Sequence, residues 1–120
     1  MAQYTDVYLL PIKTENIEAY REMAEKAGKI FRKHGAIGYR EYIASDLKAQ
    51  DGITAFPTAI KLEAGETLVY VAVDFESEEE RNAAMQRIFA DPELEQTMPK
   101  TPIFEMKRMI YGGFAILVEQ

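Results

Sequence analysis

An α+β fold, ordered strand, helix, strand, strand, helix, strand, is what this sequence predicts, and three observations carry the prediction. Two stretches space their apolar residues at helical intervals, one stopping at Gly35 and the other opened by a Ser77-to-Glu80 capping box. Four further stretches are rich in β-branched and aromatic residues. The 120 residues suffice for one hydrophobic core and are too few for two ordinary domains, so 1–120 is expected to be a single unit.

Tyr4 to Leu10 reads as the first strand, closing at Pro11, which cannot donate to a ladder in mid-sheet. Thr14 opens a helix whose buried stripe is Ile17, Tyr20, Ala24, Ala27, Phe31 and His34, with Met23 and Ile30 flanking. On its charged face Glu22 with Lys26 and Glu25 with Lys29 are acid-before-base pairs four apart. Ile37 to Ala44 alternates as a second strand, followed by a long polar loop over 45–57. Thr58 to Leu62 and Thr67 to Phe75 are expected to form a hairpin around the turn Glu63-Ala64-Gly65-Glu66. The second helix carries Ala84, Met85, Ile88 and Phe89 inward, and Asp91-Pro92 both ends it and caps a short turn through Glu95. Lys107 to Val118 is the last strand, with Gly112-Gly113 marking a bulge or a close backbone contact.

This order in this length predicts a ferredoxin-like βαββαβ sandwich, an antiparallel sheet of order 4-1-3-2 with both helices on one face. A half-covered antiparallel sheet alternates apolar and polar residues, yet Tyr8-Leu9-Leu10, Leu68 to Val73 and Phe114 to Val118 are apolar in both phases. The economical cover for the second face is another copy of the same sheet, since a two-fold interface buries one patch twice. A homodimer is expected.

Composition narrows the chemistry. Apolar residues make up 48% and charged residues 28%, which is globular composition. A formal charge of -6 repels phosphate backbones and anionic headgroups, so neither nucleic acid nor membrane is an expected partner. Gly35-Ala36-Ile37-Gly38 has the form of a KH loop, but here it joins a helix to a strand. Without cysteine and with one histidine, disulfides, thiolate chemistry and an ordinary closed zinc site are excluded. No metal or cofactor is implied, and no Walker loop, Rossmann fingerprint or nucleophile elbow is present. The opening residues lack a basic start and an apolar run, and no apolar stretch is long enough to span a bilayer, which leads to a cytoplasmic expectation.

Four segments, Ala19 to Lys29, His34 to Glu41, Phe56 to Leu62 and Lys107 to Phe114, together resemble the YbaA-like family, a bacterial family of unknown function within the dimeric α/β-barrel superfamily. The resemblance covers nearly the whole chain. It implies the dimeric α/β barrel but no activity, because the wider superfamily spans cofactor-independent monooxygenases, isomerases, haem enzymes and ligand-binding regulators.

Under the 4-1-3-2 order Asp6, Arg40 and Asp74 fall towards one end of the sheet, and His34 comes down at the same end. A histidine beside carboxylates and a guanidinium suits general acid-base work, with His34, Asp6 and Asp74 as catalytic candidates and Arg40 as a ligand-binding one. Tyr39, Tyr8 and Tyr70 are placed to orient a phenolic or enol ligand. The structural alternative is an ion pair between Arg40 and an aspartate, with His34 capping its helix. A second group, Lys107, Arg108 and Tyr111 beside the diglycine, is expected at the opposite end of the sheet, where two cations suit an anion or an acidic residue of the partner chain.

Two functions stay open on these grounds. One is a small-molecule-binding homodimer, extending to a cofactor-independent enzyme using His, Asp, Arg and Tyr, with a pocket between sheet and helices. The other is a non-catalytic regulatory or interaction module whose sheet face serves only assembly.

Overall fold

The computed structural model describes residues 3–120. Strand β1 spans Tyr4–Lys13 and passes through a 3-10 turn, Thr14–Asn16, into α1, Ile17–Lys33. Then follow β2 (Gly38–Ile43), α2 (Phe56–Ile60), β3 (Glu66–Phe75), α3 (Glu78–Ala90), α4 (Pro92–Thr97) and β4 (Ile110–Ala115). The strands lie in the order β2-β3-β1-β4 with every neighbour antiparallel, which is the expected 4-1-3-2 sheet read from its other edge. The architecture is ferredoxin-like.

Three elements differ from the expectations above. β1 runs through Pro11 to Lys13, because β4 pairs it only as far as Leu9; beyond that point β1 has no neighbour on that side, where proline's missing donor costs nothing. Thr58 to Leu62 is no hairpin arm. Pro57 sits in the first turn of α2, where its fixed φ favours a helix, and Lys61 ends it in the left-handed region at φ 55°. The last strand is shorter than Lys107 to Val118: Lys107 and Arg108 belong to a 3-10 turn, and the register from Tyr4↔Ala115 to Leu9↔Ile110 runs without a bulge. Gly113 instead marks a close contact, since a Cβ there would lie 2.6 Å from Tyr4 Cζ.

The capping box formed as expected, Ser77 Oγ accepting from Glu80 N at 3.2 Å. Asp91 ends α3 and caps α4, its Oδ1 accepting from Glu93 N at 2.9 Å. The core fills the space between α1, α3 and the helix-facing side of the sheet, where Leu10, Ile12, Val69, Val71, Val73 and Phe75 alternate along β1 and β3. Ala84 and Ile88 are fully buried, whereas Phe89, expected inside, is 73% exposed. The opposite side of the sheet presents Tyr42, Tyr70, Ile110 and Phe114, all exposed, together with Val7, Leu9 and Ala72. Among the described residues no helix is long and apolar enough to cross a membrane.

Candidate functional site

A cavity of about 670 Å³ lies between the helix-facing side of the sheet and helices α1, α3 and α4. Tyr8, Tyr39, Val71 and Val73 form its sheet wall, and Tyr20, Ala24, Ala27 and Phe31 of α1 face them. Met23, Met85, Met98, Met106 and Met109 all line it, which is every methionine among the described residues. Unbranched thioether side chains adapt to irregular surroundings, so these walls are deformable. Phe89, Met98 and Met106 are exposed at 73%, 49% and 63%, making an apolar rim where the cavity meets solvent.

One carboxylate interrupts the apolar lining. β2 alternates, so Tyr39 and Glu41 point to the helices while Arg40 and Tyr42 point away. Tyr20 donates its hydroxyl to Glu41 Oε1, and Tyr39 donates to Oε2. Two hydroxyl donors on the two oxygens are the acceptor-only pattern of a carboxylate. Burial pushes both phenols above their ordinary pKa of 10.0, and the adjacent Glu41 charge adds to the rise. Tyr8, stacked on Tyr111 with centroids 4.9 Å apart, is raised for the same first reason. The wall therefore offers a polar centre of acceptors, the remaining lone pairs of Glu41 and the oxygens of phenols whose single protons are spent on it, in surroundings where such bonds are stronger than in water.

The anticipated cluster at one end of the sheet splits between the two faces. Asp6 sits opposite Val73, so it faces the helices, while Asp74, opposite Thr5, and Arg40, opposite Ala72, face away. Thr5 Oγ1 donates to Asp74 Oδ1 at 2.7 Å, and Arg40 is exposed. His34 meets neither Asp6 nor Asp74. Its Nε2 lies 2.7 Å from Asp91 Oδ2, Lys33 Nζ reaches the same oxygen at 3.1 Å, and the His34 ring holds the Asp91 pKa down at about 2. Tyr70 stands on the open face against Tyr42, centroids 5.6 Å apart. Of the anticipated residues, the cavity brings together only Tyr8 and Tyr39.

The second anticipated group also divides. Arg108 binds Glu66 of its own chain through both nitrogens, at 2.5 and 2.9 Å, and caps Lys61 O at 3.0 Å. Tyr111 lies at the Asp6 end of the sheet, opposite Tyr8, and donates to Asp6 Oδ1 at 3.0 Å. Arg81 joins them, with Nη1 3.2 Å from the Tyr111 hydroxyl, Nη2 2.7 Å from the Tyr4 hydroxyl and its guanidinium 4.7 Å above the Tyr4 ring. Burial pushes the Asp6 carboxyl above its ordinary pKa, against the opposing pull of Tyr111 and Arg81. Glu41, Tyr20, Arg81 and Asp91 are the residues that sequence reasoning missed. Glu41 carried a readable signal, a carboxylate two positions from Tyr39 on the core-facing phase of a strand. Among the described residues no three His, Cys, Asp or Glu side chains converge as metal ligands would.

Known proteins similar to this chain agree with that fold. The uncharacterized protein YbaA of Escherichia coli K12 is 37% identical over 119 residues, covering 98% of this chain and 99% of that one. Among solved structures, a nipsnap family protein of unknown function from Agrobacterium tumefaciens superposes with a TM-score of 0.60 at 18% identity, covering 96% of this chain and 88% of that one. A dimeric ferredoxin-like protein from an uncultured marine organism gives 0.58 at 12% identity over the whole of both chains. SnoaB, a cofactor-independent oxygenase from Streptomyces nogalater, gives 0.56 at 12% identity over 99% of this chain and 97% of that one. At such identities these structures share the fold alone. The family model described as a protein of unknown function, DUF1428, matches residues 3–106, and the chain belongs to that family.

Proposed function

We propose that this protein is a cytoplasmic homodimer, each subunit of which binds a small, largely apolar organic molecule carrying a hydroxyl group. The observation that carries the reading is the methionine-lined cavity with Glu41, Tyr20 and Tyr39 on its wall. Binding sites for small molecules combine an apolar wall with a few placed polar groups, and this cavity has both. Glu41 is positioned to accept a further hydrogen bond or a proton from a ligand hydroxyl, and the two phenol oxygens, their own protons held by Glu41, to accept beside it. Any acid-base chemistry would fall to these three residues in place of His34, Asp6 and Asp74.

The dimer rests on the open sheet face. Tyr42, Tyr70, Ile110 and Phe114 are exposed together there, and a second copy covers them by the same contacts on both sides. The name of the dimeric ferredoxin-like neighbour supports this assembly. Sedimentation equilibrium at micromolar concentration should return a dimer; a monomer refutes the assembly. Titration with the neutral dye N-phenyl-1-naphthylamine should give saturable fluorescence, and Ala27→Phe, which places a ring in the cavity, should abolish it. No binding by folded wild-type protein would refute the cavity's role.

A further inference from the structure

A second cavity, of about 680 Å³, opens on the other side of the Tyr20–Glu41–Tyr39 wall, between α1 and the edge strand β2. Tyr20, Ala24, Tyr39 and Glu41 border both spaces, so the wall that serves the inner cavity is the floor of this outer groove. The rest of the floor is apolar: Ile17, Ile43 and Val69, with Gly28 contributing no side chain. Ile43 is 54% exposed there, an apolar group left in water by the isolated chain.

The rim carries three cations and one carboxylate. Arg21, Glu25, Lys29 and Arg32 line the groove from α1, and at 3.6 residues per turn the four fall within about 80° of one another on the helix. Arg21 is engaged by Glu18 at 3.3 Å, but Lys29 and Arg32 have no carboxylate within ion-pair distance among the described residues. Glu25, expected from spacing to pair with Lys29, does not do so. Glu41, in the floor, accepts from its two tyrosines and is within ion-pair distance of neither cation. Two cations without an ion-pair partner, outnumbering the one carboxylate Glu25 beside them, thus stand over an apolar groove on a chain of net charge -6.

We propose that this groove is a second binding site, distinct from the inner cavity, for an organic anion with an apolar body. The body lies on Ile17, Ile43 and Val69, and the anionic group meets Lys29 and Arg32. Area burial supplies the attraction, and the two cations select the charge.

The test uses two dyes of similar body, 8-anilinonaphthalene-1-sulfonate and the neutral N-phenyl-1-naphthylamine, on the full chain. In low-salt buffer the sulfonate should bind saturably, and Lys29→Glu with Arg32→Glu should weaken it about tenfold while leaving the neutral dye unchanged. Lys29→Arg with Arg32→Lys should retain sulfonate binding. Ala27→Phe should remove the neutral dye from the inner cavity and spare the sulfonate. Thermal melts of each variant verify folding, which exposed helix positions tolerate. Sulfonate affinity within about twofold of wild type after charge reversal, or its loss in Ala27→Phe, overturns the groove as a site. The neutral dye reports the inner cavity independently, so either site's failure is read separately.

Discussion

Gly28 lies in the middle of α1, where alanine is intrinsically better by about 0.8 to 1.0 kcal/mol, so on propensity alone Gly28→Ala stabilises the protein. The surroundings reverse that sign. A Cβ at position 28 would stand 2.8 Å from Tyr39 Cδ1 and 2.9 Å from Cε1, closer than real Cβ contacts come. The Tyr39 ring has little room to yield: its hydroxyl is committed to Glu41, and its face packs on Phe31 with centroids 5.5 Å apart. Overpacking a filled site costs about 1 to 3 kcal/mol, and weakening a hydrogen bond to a charged group about 1.5 to 3 kcal/mol. With partial relaxation between those two outcomes, the net after the propensity gain is a loss of about 2 kcal/mol.

Urea unfolding followed by circular dichroism measures this directly. At a slope of about 1.5 kcal/mol/M, the midpoint should fall by about 1.3 M. Because Tyr39 borders both cavities, neutral-dye binding should weaken as well. Removing the ring removes the conflict, so in a Tyr39→Leu background Gly28→Ala should become stabilising by about 0.5 to 1 kcal/mol. If Gly28→Ala stabilises the otherwise wild-type protein by its full propensity with dye binding unchanged, the packing account of the wall is wrong.

Gly113→Ala should cost about 2 to 4 kcal/mol in the same assay, because its Cβ displaces Tyr4 and with it the 2.7 Å bond from Arg81. Asp6 has a raised folded pKa, so folding opposes its ionisation, and its contribution to stability declines as pH rises from 3.8 through the folded value. Urea midpoints of Asp6→Asn relative to wild type should therefore improve between about pH 3 and pH 7; a constant difference would show that burial does not oppose the charge. Asp91 has the opposite sign. Its pKa is lowered from 3.8 to about 2, so its contribution is complete above 3.8 and lost as pH falls towards 2, a loss that thermal melts of Asp91→Asn should not show over that range.

The fold was legible because its signals are local. The capping box, the α1 stripe and the apolar run of β3 each decide their element without help from elsewhere. Thr58 to Leu62 misled because its composition suits a strand, while the helix is set by Pro57, one residue before the apolar run. The site was less legible, for a reason of parity. Topology placed Asp6, Arg40 and Asp74 in neighbouring rows of the sheet, where they are found. Which face each occupies depends on register, and a single step exchanges the faces. β2 reaches β3 through a long connection, so no tight hairpin turn announced its register in the sequence. His34 was placed by its helix end correctly, but its partner Asp91 comes from the junction of α3 and α4, 57 residues away.

That parity also explains what Asp74 does. Tyr39-Arg40-Glu41-Tyr42 on the edge strand sends the tyrosine–carboxylate pair to the cavities and Arg40 with Tyr42 to the open face, and a one-residue slip would exchange the two sets. β2 is anchored at both ends: Ile37 N donates to Asp74 O at 2.8 Å, and Ala44 N to Leu68 O at 2.9 Å. Between them Gly38 faces Asp74, whose Oδ2 would lie 2.8 Å from any Cβ at that position. The same carboxylate is held from β1 by Thr5 at 2.7 Å. A residue with a side chain cannot sit opposite Asp74 without displacing it, so the row Gly38, Asp74, Thr5 favours one register across three strands. Asp74 thereby acts on the site at a distance, by setting the register that turns Glu41 and Tyr39 towards the helices.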